Sequence, residues 1–251
     1  MKNLIIICLF FLPCLVVGQV NQKDSKGRKQ GVWNKAYPKS KVLEYQGQFK
    51  DDKPVGTFTY YYSNSKKKAV IVHEEGTGRS VATFYHETGG VMSKGIYRNL
   101  KKDSIWLNYT PSGRLSSSET YKNDLLDGKV ILYYLPEDVS DRSLTVSSVC
   151  MYVKGLREGE CVEYFLNGGV KVKGAYKNDK KSGVWESYHA NGQKMNLIRY
   201  KDGIQHGWCY AYNTAGKEIA KLYFYYGKKL EGAELTEKMA QLKALGIDPN
   251  Q

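Results

Sequence analysis

The chain has 251 residues, 25% of them charged, with 38 Lys and Arg against 25 Asp and Glu and a formal net charge of +13. That length suits one extended or two compact domains, and a basic excess favours anionic partners such as nucleic acid, lipid headgroups, acidic glycans or an acidic protein. The lysines are scattered in short runs (Lys66–Lys68, Lys101–Lys102, Lys180–Lys181), which solvates a surface, and no helix-turn-helix, zinc or RNP pattern occurs, so no specific nucleic-acid binding is expected.

Residues 1–18 read as a secretory signal peptide. Lys2 gives a positive start, Leu4 to Val17 an apolar stretch broken only by Pro13, and Val16 and Gly18 are small enough for cleavage between Gly18 and Gln19. The stretch is short for a membrane span, which needs ~20 apolar residues, and no later stretch could cross a bilayer. The expected location is secreted or periplasmic. Removing Lys2 takes the charge from +13 to +12.

From Gln19 to Gly232 the chain repeats itself. Numbering each unit from its opening glycine or serine as zero, the units start at Gly31, Gly56, Ser80, Ser104, Gly128, Gly159, Gly183 and Gly207. The steps are 25, 24, 24, 24, 31, 24 and 24 residues, a register steady enough to define a repeat architecture. Position +2 holds Trp33, Phe58, Ala82, Trp106, Val130, Cys161, Trp185 and Cys209; position +17 is aromatic or His. Position +5 is Tyr in seven units: Tyr61, Tyr85, Tyr109, Tyr133, Tyr164, Tyr188 and Tyr212.

Each unit has two runs rich in aromatic and β-branched residues. A turn such as "HANGQ" separates them, and a second such as "KNDKKSG" leads to the next unit. A two-residue turn at +8/+9 pairs +2 with +15 and zero with +17. A six-residue turn between units would pair +15 with the next +2, and +17 with the next zero. Gly47 then faces Phe58, Gly95 faces Trp106 and Gly174 faces Trp185. The same ladder sets Phe49 against Gly56, Tyr121 against Gly128, Tyr176 against Gly183 and Tyr200 against Gly207, aromatics covering bare glycine backbone. The predicted fold is all-β, an elongated antiparallel single-sheet solenoid of about eight ~24-residue hairpins, on the order of 75 Å long. Its N-terminal edge near Trp33 has no obvious cap.

Residues 233–251 form a predicted C-terminal capping helix and tail. Leu235, Met239, Leu242 and Leu245 share one helical face, Thr236 or Glu234 would begin it, and Gly246 followed by Pro249 would stop it.

The pattern G-x-W-x-x-Y, a glycine-bearing turn, then G-x-Y-K-N-D-x-x-x-G resembles the variant MORN repeat found in the YwqK-like antitoxin family and in many secreted repeat proteins. The resemblance covers about Gly27 to Gly232. It implies a curled antiparallel sheet with no enzyme activity of its own, serving as a scaffold for protein or phospholipid contact. An antitoxin role would require a toxin partner. Ala82, Val130, Cys161 and Cys209 depart from the aromatic at +2.

The ladder also makes a statement about sulfur. Cys8 and Cys14 leave with the signal peptide. Cys150 faces Cys161 across two strands, close enough for a disulfide, while Cys209 lies two units from Cys161, on the order of 20 Å, and stays free and buried. Three small core cysteines are the alternative. His86 and His189 both sit at +6 four units apart and cannot share a metal. No H-E-x-x-H, C-x-x-C, G-x-S-x-G or P-loop pattern is present, so no catalytic, metal or cofactor site is expected. The seven +5 tyrosines, on the face opposite the +2 row by parity, form the candidate ligand or partner face, or simply cover the sheet. Extra residues within Leu135–Ser148 lengthen one hairpin tip, where solenoids often carry binding loops. The sequence thus points to a non-enzymatic secreted module for protein binding or scaffolding. A toxin-neutralising protein and a glycan or cell-wall binder using the tyrosine row are the alternatives.

Overall fold

The computed structural model describes residues 19–135 and 144–250. The signal-peptide segment and the tip of the long hairpin lie outside the described residues. The described chain forms one antiparallel sheet of 19 strands with a single α-helix at Gly232–Ala244. Each strand pairs with its neighbours in sequence, so the sheet is an open meander of hairpins.

The unit starting at Gly183 shows how the sequence builds a hairpin. Its strands are Lys180–Tyr188 and Lys194–Lys201. Between them, Gly192 N–H donates to His189 O at 2.9 Å and His189 N–H to Gln193 O at 2.8 Å. Gly192 takes φ +84°, which a residue with a side chain adopts only at a cost. This is a three-residue loop, one longer than the two-residue turn expected from the sequence. The surplus is taken up at once: Ser187 pairs with Asn196 but Tyr188 with Lys194, leaving Met195 as a bulge. Loop and bulge cancel, so Trp185 still meets Ile198 and Gly183 meets Tyr200, as the spacing predicts.

Between units the expected straight ladder holds from Ala69–Phe84 to His73–Ser80 and is wrong at the other junctions. Lys177 pairs with Lys180 around a two-residue turn at Asn178 and Asp179, with φ 49° and 64°. Such left-handed backbone at both positions is what Asn and Asp tolerate in a type I′ turn. Tyr176 therefore meets Lys181, not Gly183. In the same way Phe49 meets Pro54, Tyr121 meets Leu126 and Tyr200 meets Gln205. The register recovers through a wide bulge in which Gly183, Val184 and Trp185 stand against Gly174 alone. Gly183 sits at φ +68°, so the zero-position glycine serves the bulge rather than offering bare backbone to an aromatic.

The +2 aromatics do cover glycine, as predicted. The Trp185 ring lies over Gly174, Trp106 over Gly95 and Phe58 over Gly47. Each indole also spends its N–H: Trp185 Nε1 donates to Ala175 O and Trp106 Nε1 to Ile96 O, both at 3.1 Å.

Two further ladders bind unit to unit. At the turn edge, Asp179 N–H donates to Arg157 O at 3.1 Å while Asp179 Oδ1 accepts Arg157 N–H at 3.0 Å. Asp52 does the same for Lys29, and Asp124 for Lys102. At the loop edge, the +6 side chain reaches the next unit's +5 carbonyl: Tyr37 to Tyr61, Tyr62 to Tyr85 and Tyr134 to Tyr164 through hydroxyls, His86 to Tyr109 and His189 to Tyr212 through Nε2.

The ends are closed. Gln22–Lys23 pairs with Lys29 and Gln30, and Asn21 bonds to Val32 and Asn34, so the N-terminal edge near Trp33 is capped, contrary to expectation. At the other end Leu242 of the helix packs on Tyr223 and Leu230, with Leu235 and Met239 beside it. Leu245, expected on that face, is 71% exposed because the helix has already ended at Ala244. The helix starts at Gly232, before Glu234 and Thr236, since Glu231 enters it from an extended backbone with no side-chain cap. Tyr223 O–H donates to Pro249 O and Trp208 N–H to Asn250 Oδ1, which pins the tail to the last unit.

A candidate binding surface and a break in its aromatic row

The sheet has two chemically distinct faces. One carries the +2, +15 and +17 side chains. Phe58, Trp106 and Trp185 are buried there, each against aromatic edges: Phe49 and His73 on Phe58, Tyr97 on Trp106 at 4.9 Å, and Tyr176 on Trp185 at 4.9 Å. Cations two residues before the unit start lie over these rings. Lys29 sits over Trp33 and Phe49, Lys102 over Trp106 and Tyr121, Lys181 over Trp185 and Tyr200. Each such contact adds about 0.5–1 kcal/mol at an exposed site.

The opposite face carries the +5 tyrosines. Tyr188 O–H donates to Glu186 Oε2 at 2.8 Å, and Glu186 also binds Lys194 and Lys173. Hydrogen bonding to Lys194, with further help from Tyr188 and Lys173, lowers the Glu186 carboxyl to about 2 despite partial burial. The bulge falls on the returning strand, so Tyr188 keeps the parity of its own strand. Tyr61, Tyr85, Tyr109, Tyr133, Tyr164, Tyr188 and Tyr212 are all half-buried, and Lys94 and Lys173 approach the rings of Tyr109 and Tyr188. Tyr188 is thus held by a carboxylate and a lysine and Tyr109 by a lysine, while the +6 rungs fix the backbone carbonyls of Tyr61, Tyr85, Tyr109, Tyr164 and Tyr212.

Cys150 and Cys161 pair directly across adjacent strands, with Cα atoms 4.1 Å apart, and are disulfide-bonded in this structure. Cys209 is free and buried, and burial raises its thiol pKa. His86 and His189 are rungs of the inter-unit ladder. Among the described residues no three His, Cys, Asp or Glu side chains are placed to hold a metal ion, and no helix is long and apolar enough to cross a membrane.

The aromatic row is interrupted around Val130 and Cys161 and also between His73 and Tyr97. Trp33, Phe49, Phe58 and His73 run edge to face from one side, Tyr97 and Trp106 from the other. Between them stand Ile71, Ser80 and Ala82. A cavity of about 410 Å³ opens there, bounded by Phe49, Phe58, Ile71, His73, Ser80 and Tyr97. His73 Nδ1 and Ser80 Oγ share a hydrogen bond of 2.8 Å, whereas His73 Nε2 is buried with no hydrogen-bond partner among the described residues. Burial lowers the imidazole pKa. Among the described residues no carboxylate bonds this imidazole, so the Ser80–His73 pair has no third member of a nucleophile–base–acid relay there.

Beside the cavity a cleft of about 680 Å³ separates two turns. Its origin is local. In the regular units the residue two before the unit start gives its amide to the next turn's Asp; here that residue is Pro54, which has no N–H. The following turn, Glu74 to Arg79, is longer, and His73 meets Ser80 without the usual bulge. Lys50 and Glu75 form an ion pair across the opening. The sequence singled out Ala82 as a departure but not the meeting of Pro54, His73 and Ser80 at this cavity, which only the sheet register reveals.

A family model described as MORN repeat variant matches residues 157–178 and 181–202. The first segment contains Cys161 and the second Trp185, and the Asp179 turn lies between them. No curated protein matches this chain significantly. Among solved structures the chain is similar to a chain of the "Crystal Structure of TcdB2-TccC3-Cdc42", at 10% identity and a TM-score of 0.19, over 80% of this chain and 12% of that one. This chain therefore spans about an eighth of that chain's length, and the likeness carries no argument.

Proposed function

We propose that the protein is a secreted or periplasmic, non-enzymatic repeat module that binds a protein partner. The carrying observation is the open single-layer sheet, whose hairpins present repeated side-chain rows on both faces while its two ends are closed. A sheet of this kind has a long surface and no enclosed reaction chamber. The variant-repeat match supports the same reading, since such repeats serve as protein or lipid scaffolds. The apolar start of the chain supports export.

Crosslinking capture from the source cell's own envelope fraction, read by mass spectrometry, tests this. One dominant protein, competed away by untagged protein, is the expected result. Enrichment of cell-wall polymer would move the function to glycan binding. A toxin as the captured protein would make the module a neutralising partner, and enrichment of anionic lipid alone would contradict a protein partner.

A further inference from the structure

We propose that the Cys150–Cys161 disulfide is a redox-controlled lock. Oxidised, it holds the sheet as one piece; reduced by a dithiol, it leaves a hinge that divides the sheet into two blocks. The lock goes beyond the partner-binding reading and does not depend on it.

Three observations converge. First, the sulfur pair stands in the middle of an interruption of the aromatic row. Strand pairing orders that row as Trp106, Glu119, Val130, Cys150, Cys161 and Gly174, and Trp185 covers Gly174 from the far side. Edge-to-face pairs stop at Tyr97 with Trp106 and resume at Tyr176 with Trp185. Other junctions set a ring over glycine, as Phe58 over Gly47 and Trp106 over Gly95; this one sets sulfur against sulfur. Second, the main chain does not bridge the two cysteines. Their Cα atoms lie 4.1 Å apart, the close spacing of a pair that exchanges no N–H···O bonds. Beyond them lies a bulge, and pairing resumes at Tyr152 with Arg157. The turn behind carries Gly155 where others carry Asp52, Asp124 or Asp179. Gly155 N–H donates to Leu126 O, but no side chain at 155 accepts an N–H in return. Lys154 N–H reaches Asp127 Oδ2 at 3.4 Å, whereas Asn178 N–H reaches Glu158 Oε2 at 2.8 Å. Third, the bond is open to attack from one side. Cys161 is buried, but Cys150 is part-exposed on the open sheet face.

The step is thiol–disulfide exchange. A thiolate of the dithiol attacks Cys150 Sγ, the S–S bond breaks, and Cys161 leaves as a thiolate that takes a proton. The second thiol of the reductant, as its thiolate, then attacks the mixed disulfide and releases Cys150, which is protonated in turn. The protein gains two electrons and two protons, and the dithiol ends as its own disulfide. An oxidising compartment keeps the lock closed. In a repeat array each unit is stabilised by its neighbours, so a weakened junction lets the units on either side open independently.

The test is native-state amide hydrogen exchange on the purified protein, with and without dithiothreitol, while alkylation reports which thiols become free. Cys150 and Cys161 should join Cys209 as reactive thiols without denaturant. Exchange within residues 125–133 and 146–164 should quicken on the order of a hundredfold, and by less than about threefold in residues 43–109 and 183–225. Cys150→Ser with Cys161→Ser should exchange fast at the junction without any reductant. Cys150→Gly with Cys161→Trp installs the device of Gly174 and Trp185, and should keep the junction slow and indifferent to dithiothreitol. Should that variant not fold, the oxidised and reduced forms of the unaltered protein still decide the matter. A cystine that reacts only after the sheet unfolds, unchanged exchange at the junction, or equal acceleration in every unit would overturn the proposal. None of these outcomes bears on partner capture, so the two readings fall separately.

Discussion

The indole of Trp185 lies directly over Gly174, with no room for even a methyl group between them. The same Trp185 donates its N–H to Ala175 O at 3.1 Å. Gly174→Ala should therefore force the ring away and break that bond, at a cost of about 1–3 kcal/mol. Chemical denaturation measures it. An unchanged midpoint would mean the ring is not held where the structure places it.

The +6 rungs should act locally. Tyr62→Phe removes the O–H that donates to Tyr85 O at 2.7 Å and should cost about 1 kcal/mol. Because each unit contacts only its neighbours, amide hydrogen exchange should quicken around residues 56–98 and hardly change near the C-terminal helix. Uniform loss of protection would show that the sheet opens as one body.

Acid should loosen the sheet through its depressed carboxylates. Glu186 falls from its ordinary 4.5 to about 2, first through Lys194, and Asp179 is lowered by its bonds to Arg157. A depressed folded pKa means stability is fully present above the unfolded value and is lost as pH falls through the folded one. Melting temperature should thus hold above about pH 5 and decline from there toward pH 2. Glu186→Gln should flatten part of that decline; an identical pH profile would remove Glu186 from the account.

Reduction should matter at one hairpin junction. The Cys150–Cys161 bond closes a loop of sequence separation 11, a constraint of about 3 kcal/mol on the unfolded chain. Non-reducing peptide mapping should find this link with Cys209 carrying a free thiol. A bridge involving Cys209 would contradict the strand register itself.

The period and the hairpin register were legible in the sequence because two local surprises cancel. The loop is one residue longer than expected at His189–Gln193, the bulge at Met195 absorbs it, and Trp185 meets Ile198 either way. Between units the spacing gave the right facing for Gly174 and Trp185 but the wrong one for Tyr176. The Asn178–Asp179 turn and the bulge after it trade two residues invisibly to arithmetic. The +6 rungs were readable in principle, since Tyr37, Tyr62, His86, Tyr134 and His189 share one position. The cavity was not, because Pro54, His73 and Ser80 come from three successive strands and meet only once the strands are paired. The helix face was legible from its apolar spacing, but not its start, because Glu231 supplies no capping side chain.

The most direct test of a partner-binding module is position-specific photo-crosslinking in the native envelope. Photoreactive residues would replace Leu100 at the rim of the cavity, Tyr188 on the opposite face and Lys217 at a distant loop. The account predicts adducts to one protein from position 100 or 188 and few from 217. Adducts that contain glycan or lipid and no protein would contradict it.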